Sequence, residues 1–148
     1  MKDKSLIIIP TYNEAENIED VINKILSLQN NNFILVVDDN SPDGTSNIVE
    51  NLKKDNTDKL FLITREKKDG LGSAYKVGFR WALKQDFSYI FEMDADLSHN
   101  PNEIENLKTL LINNECDVAI GSRYLEGVSV VNWPLSRIFL SYFANIYV

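Results

Sequence analysis

Short continuous runs of Val, Ile and Leu alternate along this chain with stretches of helical periodicity, and that alternation sets the fold. "SLIII" (5–9), "FILVVD" (33–38), "LFLIT" (60–64), "YIFEMD" (89–94) and "DVAIGS" (117–122) read as strands. After the first, Ile18, Val21, Ile22, Ile25 and Leu26 recur at the spacing of one helix face. Asn13 with Glu16 three residues on has the form of its capping box. Thr45 or Ser46 opens a second helix carrying Ile48, Val49 and Leu52, and 72–85 forms a third, with Phe79 and Trp81 as packing aromatics. Asn100-Pro101-Asn102-Glu103 combines a cap, an early proline and an acid, and starts a fourth helix that runs through Ile104, Leu107, Leu110 and Leu111. Apolar strands alternating with helices imply an α/β fold: a mainly parallel sheet with helices on both faces. No repeat or interior linker divides the 148 residues, so they are expected to form one domain.

In such sheets ligands bind beyond the carboxyl ends of the strands. Here the residues following the strands are chemically loaded. Pro10, Tyr12 and Glu14 follow the first, Asp38 and Asp39 close the second, and Arg65 to Lys68 follow the third. Asp94 and Asp96 follow the fourth, and Gly121 and Arg123 belong to the fifth. If the backbone stays extended, Asp94 and Asp96 point to the same side and can share one cation. Oxygen donors without a cysteine cluster favour Mg2+ or Mn2+ over zinc, with phosphates completing the coordination. Alternatively, Asp96 and Ser98 are turn or capping residues before the fourth helix. His99 reads as a loop residue beside this pair. Gly70-Leu71-Gly72 is followed by Tyr75 where a dinucleotide fingerprint needs glycine, which argues against a nicotinamide site.

A net charge of -7 and no basic run longer than two residues argue against nucleic acid as a partner. The lone Cys116 excludes an internal disulfide framework and reads as a small apolar residue. The apolar run near the N-terminus is too short for a signal peptide, and no stretch of about 18 apolar residues offers a transmembrane helix. The expected location is the cytoplasm.

Taken together, "IPTYNEAENI", "VVDDNSPDGT", "REKKDGLGSAY", "MDADLSHNP" and "IGSRY" resemble, in order and spacing, the inverting family 2 glycosyltransferases, and most of all the dolichyl-phosphate (polyprenyl-phosphate) mannosyltransferases. The resemblance spans essentially the whole chain. It implies a GT-A fold, a nucleotide-sugar donor such as GDP-mannose, a divalent metal (Mg2+ or Mn2+) and a polyprenyl or dolichyl phosphate acceptor. It places the enzyme at the cytoplasmic face of a membrane, in peripheral contact with it. Carried over residue by residue, Pro10, Tyr12 and Glu14 frame the nucleotide, with Val37 and Asp39 on its base side. Asp94, Ala95 and Asp96 form the donor and metal segment, and Ser98 stands where some relatives have a glutamine metal ligand. Arg123 matches an arginine near the donor phosphates and, with Asp96, carries the catalytic role. Family members continue with a basic acceptor-side segment, so 1–148 is expected to be a catalytic domain lacking that part. The stripe Leu135, Ile138, Phe139, Tyr142, Phe143 and Ile146 fits a core helix or an interfacial one.

The acceptor implied by the resemblance is a phosphate monoester, largely dianionic at neutral pH. It needs no general base, unlike a hydroxyl acceptor. What must be stabilised is the departing nucleoside diphosphate, and a single in-line displacement inverts the anomeric centre. Two alternatives remain at this level: a family 2 transferase using another donor such as UDP-glucose or a hydroxyl acceptor, and a nucleotide-sugar-binding fragment without catalysis.

Overall fold

The structure is a computed structural model, and it describes residues 4–28, 31–113 and 116–121. Four parallel strands, β1 (Ser5–Thr11), β2 (Asn32–Asp38), β3 (Leu60–Thr64) and β4 (Tyr89–Glu92), form one sheet in the order β3-β2-β1-β4. Helices α1 (Ile18–Ser27), α2 (Thr45–Asp55), α3 (Leu71–Ala82) and α4 (Glu103–Ile112) alternate with them. Right-handed crossovers dictate the layers. The steps from β1 to β2 and from β2 to β3 move in one direction, so α1 and α2 share a face. The step from β3 to β4 returns across the sheet and puts α3 on the other.

The pleat divides the core accordingly. Ile7 and Ile9 of β1 with Ile34 and Val36 of β2 face α1, α2 and Ile104 of α4. Leu6, Ile8, Leu35 and Val37 face Ala74 and Ala82 of α3. Trp81 completes this second layer, with its ring centre 4.9 Å from that of Phe61 and 6.1 Å from that of Phe87. Because Trp81 is only half-buried, Trp81→Ala should lower stability by about 2–3 kcal/mol, below the range for a fully buried aromatic. Urea unfolding checks this, and nucleotide affinity should not change. A fully stable Trp81→Ala would remove the packing role.

The structure corrects several expectations. β1 does not end at residue 9 but runs through Pro10 to Thr11, with Pro10 opposite Val37. The helix after β1 is not opened by an Asn13–Glu16 box. It begins at Ile18 without a side-chain cap. The turn before it is instead held by the loop after β2: Asn13 N–H donates to Ser41 Oγ, Glu14 N–H to Thr45 Oγ1 and Ala15 N–H to Asp43 Oδ2, each at 3.0 Å. α3 stops at Ala82, short of 85. Among the described residues no strand forms over 117–121. Val118 and Ile120 alternate as a strand would, but they are 73% and 83% exposed and have no ladder partner there. An apolar alternation becomes a strand only when a neighbour accepts its hydrogen bonds. Arg123 and the stripe in 134–148 lie outside the described residues.

Candidate active site

Pro10 shapes the site through the bond it cannot make. In a parallel ladder, successive residues of a central strand bond alternately to the neighbours on either side. Ile8 serves the β4 side, where its carbonyl accepts Met93 N–H at 3.1 Å. The next residue facing β4 is Pro10, which has no N–H. Pairing with β4 ends at Ile8 opposite Glu92, whereas pairing with β2 continues to Thr11 opposite Asp38. The sheet therefore splits between β1 and β4, at the point where the strand order reverses.

A cleft of about 340 Å³ occupies that split. Of the residues expected at a donor site, Pro10, Tyr12, Glu14, Asp39, Asp94, Ala95 and Asp96 all line it. Val37 does not: it is fully buried under α3, so its side chain is core. Ser98 is exposed in the turn outside the lining, and its backbone N–H donates to Asp96 Oδ1 at 2.9 Å. A larger cleft of about 430 Å³ lies across the turn, between the end of α1 and the start of α4. It includes Lys24, His99 and Pro101 but no carboxylate, and it is away from the strand ends. The smaller cleft holds the chemistry.

The neighbouring acids of β2 have separate tasks. Asp38 is fully buried and accepts from Thr11 Oγ1, Ser41 N–H, Ser41 Oγ and Ser46 Oγ, tying β1, the loop and α2 together. Asp39, one residue on, turns to the opposite side of the strand. Its Oδ1 lies 3.1 Å from Arg65 Nη1, with both side chains about nine-tenths buried. That contact is an ion pair without hydrogen-bond alignment. Oδ2 accepts Asp69 N–H at 3.4 Å. Asp39 Oδ1 thus has no hydrogen-bond donor among the described residues.

Asp94 and Asp96 do not sit on β4, which stops at Glu92, so alternation along a strand is not what brings them together. Both line the cleft from the bend that follows β4, where Leu97 takes φ 61, a conformation that leucine seldom adopts. His99 Nδ1 accepts the Asp94 N–H at 3.2 Å, and its Nε2 lies 3.9 Å from Asp94 Oδ2. The Tyr75 hydroxyl of α3 lies near the Asp94 carboxylate. Burial first, then the charges of Asp94 and Glu92, push that phenol well above its ordinary range, so it remains a donor. Burial raises the Asp96 carboxyl, but hydrogen bonds from Ser98 and the nearby His99 outweigh this and leave it below the usual carboxylate range. Asp96 is thus presented as an oxygen acceptor.

The donor set fits a hard divalent cation. Asp94 and Asp96 line one wall, and among the described residues no cluster of three or more His, Cys, Asp or Glu forms a closed site. Two carboxylates with open positions suit Mg2+ or Mn2+ completed by phosphate and water. Sequence reasoning placed Lys68 at a strand end without a role in the donor site and missed Tyr75, Leu71 and Ala74; all but Tyr75 line the cleft. The signal was their place after β3, within "REKKDGLGSAY".

Residues 6–147 match the family described as Glycosyl transferase family 2. The chain is 44% identical over 144 residues to the polyprenol monophosphomannose synthase of Mycolicibacterium smegmatis, covering 97% of this chain and 54% of that protein. It is 39% identical over 142 residues to the undecaprenyl-phosphate mannosyltransferase of Micrococcus luteus, covering 96% and 57%. It thus spans little more than half the length of these curated relatives. Among solved structures, a mannosyltransferase from Pyrobaculum calidifontis in complex with GDP-Man and Mn2+ superposes with a TM-score of 0.65 at 25% identity, covering 75% of this chain and 33% of that one. The expected GT-A architecture is borne out. By the extent of the match and the identity to its relatives, this chain belongs to glycosyl transferase family 2.

Proposed function

We propose that this chain is the donor-binding catalytic domain, over 1–148, of an enzyme that transfers mannose from GDP-mannose to a polyprenyl phosphate with inversion. The observation that carries the reading is the split between β1 and β4, which gathers Tyr12, Glu14, Asp39, Asp94 and Asp96 around one cleft. The names of the curated relatives support the sugar and the acceptor class, and the GDP-Man and Mn2+ complex supports the donor and a divalent ion. Asp39, in the cleft lining, suits N–H groups on the edge of a nucleobase. Tyr12 offers a ring face, and Pro10 keeps the backbone open beside it.

Asp94 and Asp96 would hold Mg2+ or Mn2+, which when bound supplies positive charge against the departing diphosphate. His99 fixes the Asp94 backbone, and the Tyr75 hydroxyl lies near its carboxylate. Ser98 remains a proposed ligand through its hydroxyl, while its N–H donates to Asp96. Arg123 is proposed beside the diphosphate. An ionised phosphate acceptor needs no protein base, so Glu14 and Asp39 serve recognition. The lipid acceptor implies peripheral contact with a membrane. Among the described residues no helix is long and apolar enough to cross one. The acceptor-side segment is proposed to lie outside 1–148.

A calorimetric panel of GDP- and UDP-sugars with and without Mg2+ tests this. GDP-mannose binding should be stimulated by the metal. Asp96→Ala should lose that stimulation with little change in Tm, because the side chain is exposed and its bonds stay within its own turn. Equal metal-stimulated binding by Asp96→Ala and the parent would remove the metal assignment. Preference for a UDP-sugar would move the chain to another donor class within the family. Turnover with retained anomeric configuration would rule out the inverting displacement.

A further inference from the structure

Lys68 lies on the loop between β3 and α3, two residues before Gly70, whose φ of 81 lets the loop turn into the helix. Its Nζ sits 3.9 Å from the centre of the Tyr12 ring, and it lines the same cleft as Asp94 and Asp96. It is the one ammonium among the described lining residues, facing four carboxylates: Glu14, Asp39, Asp94 and Asp96.

Those carboxylates already have other partners. Glu14 accepts from Asn17 Nδ2 at 3.3 Å, Asp39 pairs with Arg65, Asp94 Oδ2 lies 3.9 Å from His99 Nε2, and Asp96 accepts from Ser98 N–H. Lys68 makes no ion pair among the described residues and rests on an aromatic face instead. A cation–π contact at an exposed site is weak, and an ammonium has three N–H donors to offer. A ligand carrying phosphate charge must enter past four acids. A single divalent ion at Asp94 and Asp96 would offset only part of that repulsion, and the Lys68 ammonium at Tyr12 is the other positive charge in the lining.

We infer that Lys68 binds the diphosphate of the nucleotide ligand, with the Tyr12 ring as the platform that holds its ammonium at the cleft. This rests on the nucleotide-binding reading above, and adds to it a phosphate contact supplied from β3–α3, independent of the metal. Charge-assisted bonds to phosphate are strong enough for its loss to be measurable.

The test is calorimetric titration of the 148-residue chain with guanosine, GMP and GDP, with Mg2+ and separately in EDTA. Lys68→Gln should weaken GDP binding by roughly 10–100-fold in either condition, leave guanosine affinity nearly unchanged, and keep the parent Tm. Lys68→Arg should restore most of the GDP affinity. Undiminished GDP binding by Lys68→Gln would overturn the assignment. Equal losses for guanosine and GDP would also overturn it, because Lys68 would then only steady the Tyr12 ring. A parent chain that binds none of the three would sink the nucleotide reading itself, and this inference with it. Binding by the parent with no Lys68 dependence sinks the inference alone.

Discussion

Asp38→Ala should lower the stability of the fold by about 3–5 kcal/mol, as expected when a buried, hydrogen-bonded charge is removed from its network. The carboxylate is wholly buried at the end of a central strand. It accepts from Thr11 Oγ1 at 2.8 Å, Ser41 N–H at 2.9 Å, and Ser41 Oγ and Ser46 Oγ at 2.6 Å each. Alanine would leave three hydroxyls and an amide without their acceptor, in a space too enclosed for free hydration. Asp38→Asn preserves the shape and one oxygen, and the hydroxyls can rotate to accept from its NH2, so its cost should fall to about 1–2 kcal/mol. Urea unfolding of the two variants measures the difference. Nucleotide affinity should fall with Asp38→Ala even where the protein is folded, because Thr11 precedes Tyr12 and Ser41 holds the turn at Asn13. If the urea midpoint of Asp38→Ala matched the parent, Asp38 would not be the clamp between these loops.

The two adjacent acids also mark what could be read from the chain. Asp38 continues the face of Ile34 and Val36, toward α1 and α2, and Asp39 continues that of Leu35 and Val37, toward α3. Their parity was legible. Which face carried the cleft was not, because it depends on the return of the chain from β3 to β4. The strands, the helices and the acids at the strand ends follow from local pattern, and so does most of the cleft lining. The capping of the turn before α1 does not, because its acceptors, Ser41, Asp43 and Thr45, lie 28 or more residues away. Asn13 and Glu16 had the local form of a cap, but Asn13 takes φ 61 and its N–H turns to Ser41. Pro10 was legible as a breaker, yet it breaks the ladder on one side only, and only the strand order reveals which. Extended backbone through Asp94 and Asp96 was anticipated, but β4 ends at Glu92 and the chain bends before Leu97.

Gly78→Val should be nearly as damaging as Asp38→Ala, and it acts from outside the cleft. A Cβ at Gly78 would lie 2.6 Å from Ile8 Cγ2 and 3.1 Å from Ile8 Cδ1. Ile8 is fully buried on the central strand, and its branched side chain has little rotamer freedom with which to yield. Either α3 lifts from the sheet or Ile8 leaves its rotamer. Gly78→Ala gains about 1 kcal/mol of helix propensity, but overpacking costs about 1–3 kcal/mol, so a modest net loss is expected. Valine adds two methyl groups and a lower propensity, and should lose about 3–4 kcal/mol. Lifting α3 also carries Ala74 away from the cleft wall and Tyr75 away from Asp94. Metal-dependent nucleotide binding should therefore weaken in folded Gly78→Ala, although no group that touches ligand has changed. Ile8→Ala alone leaves a cavity and should cost about 2–5 kcal/mol. Combined with Gly78→Ala it should cost less than the sum, because the new methyl group enters the space that Ile8 vacates. Purely additive losses in that double-mutant cycle would mean that the two residues do not press on each other, and the seating of α3 would need another cause.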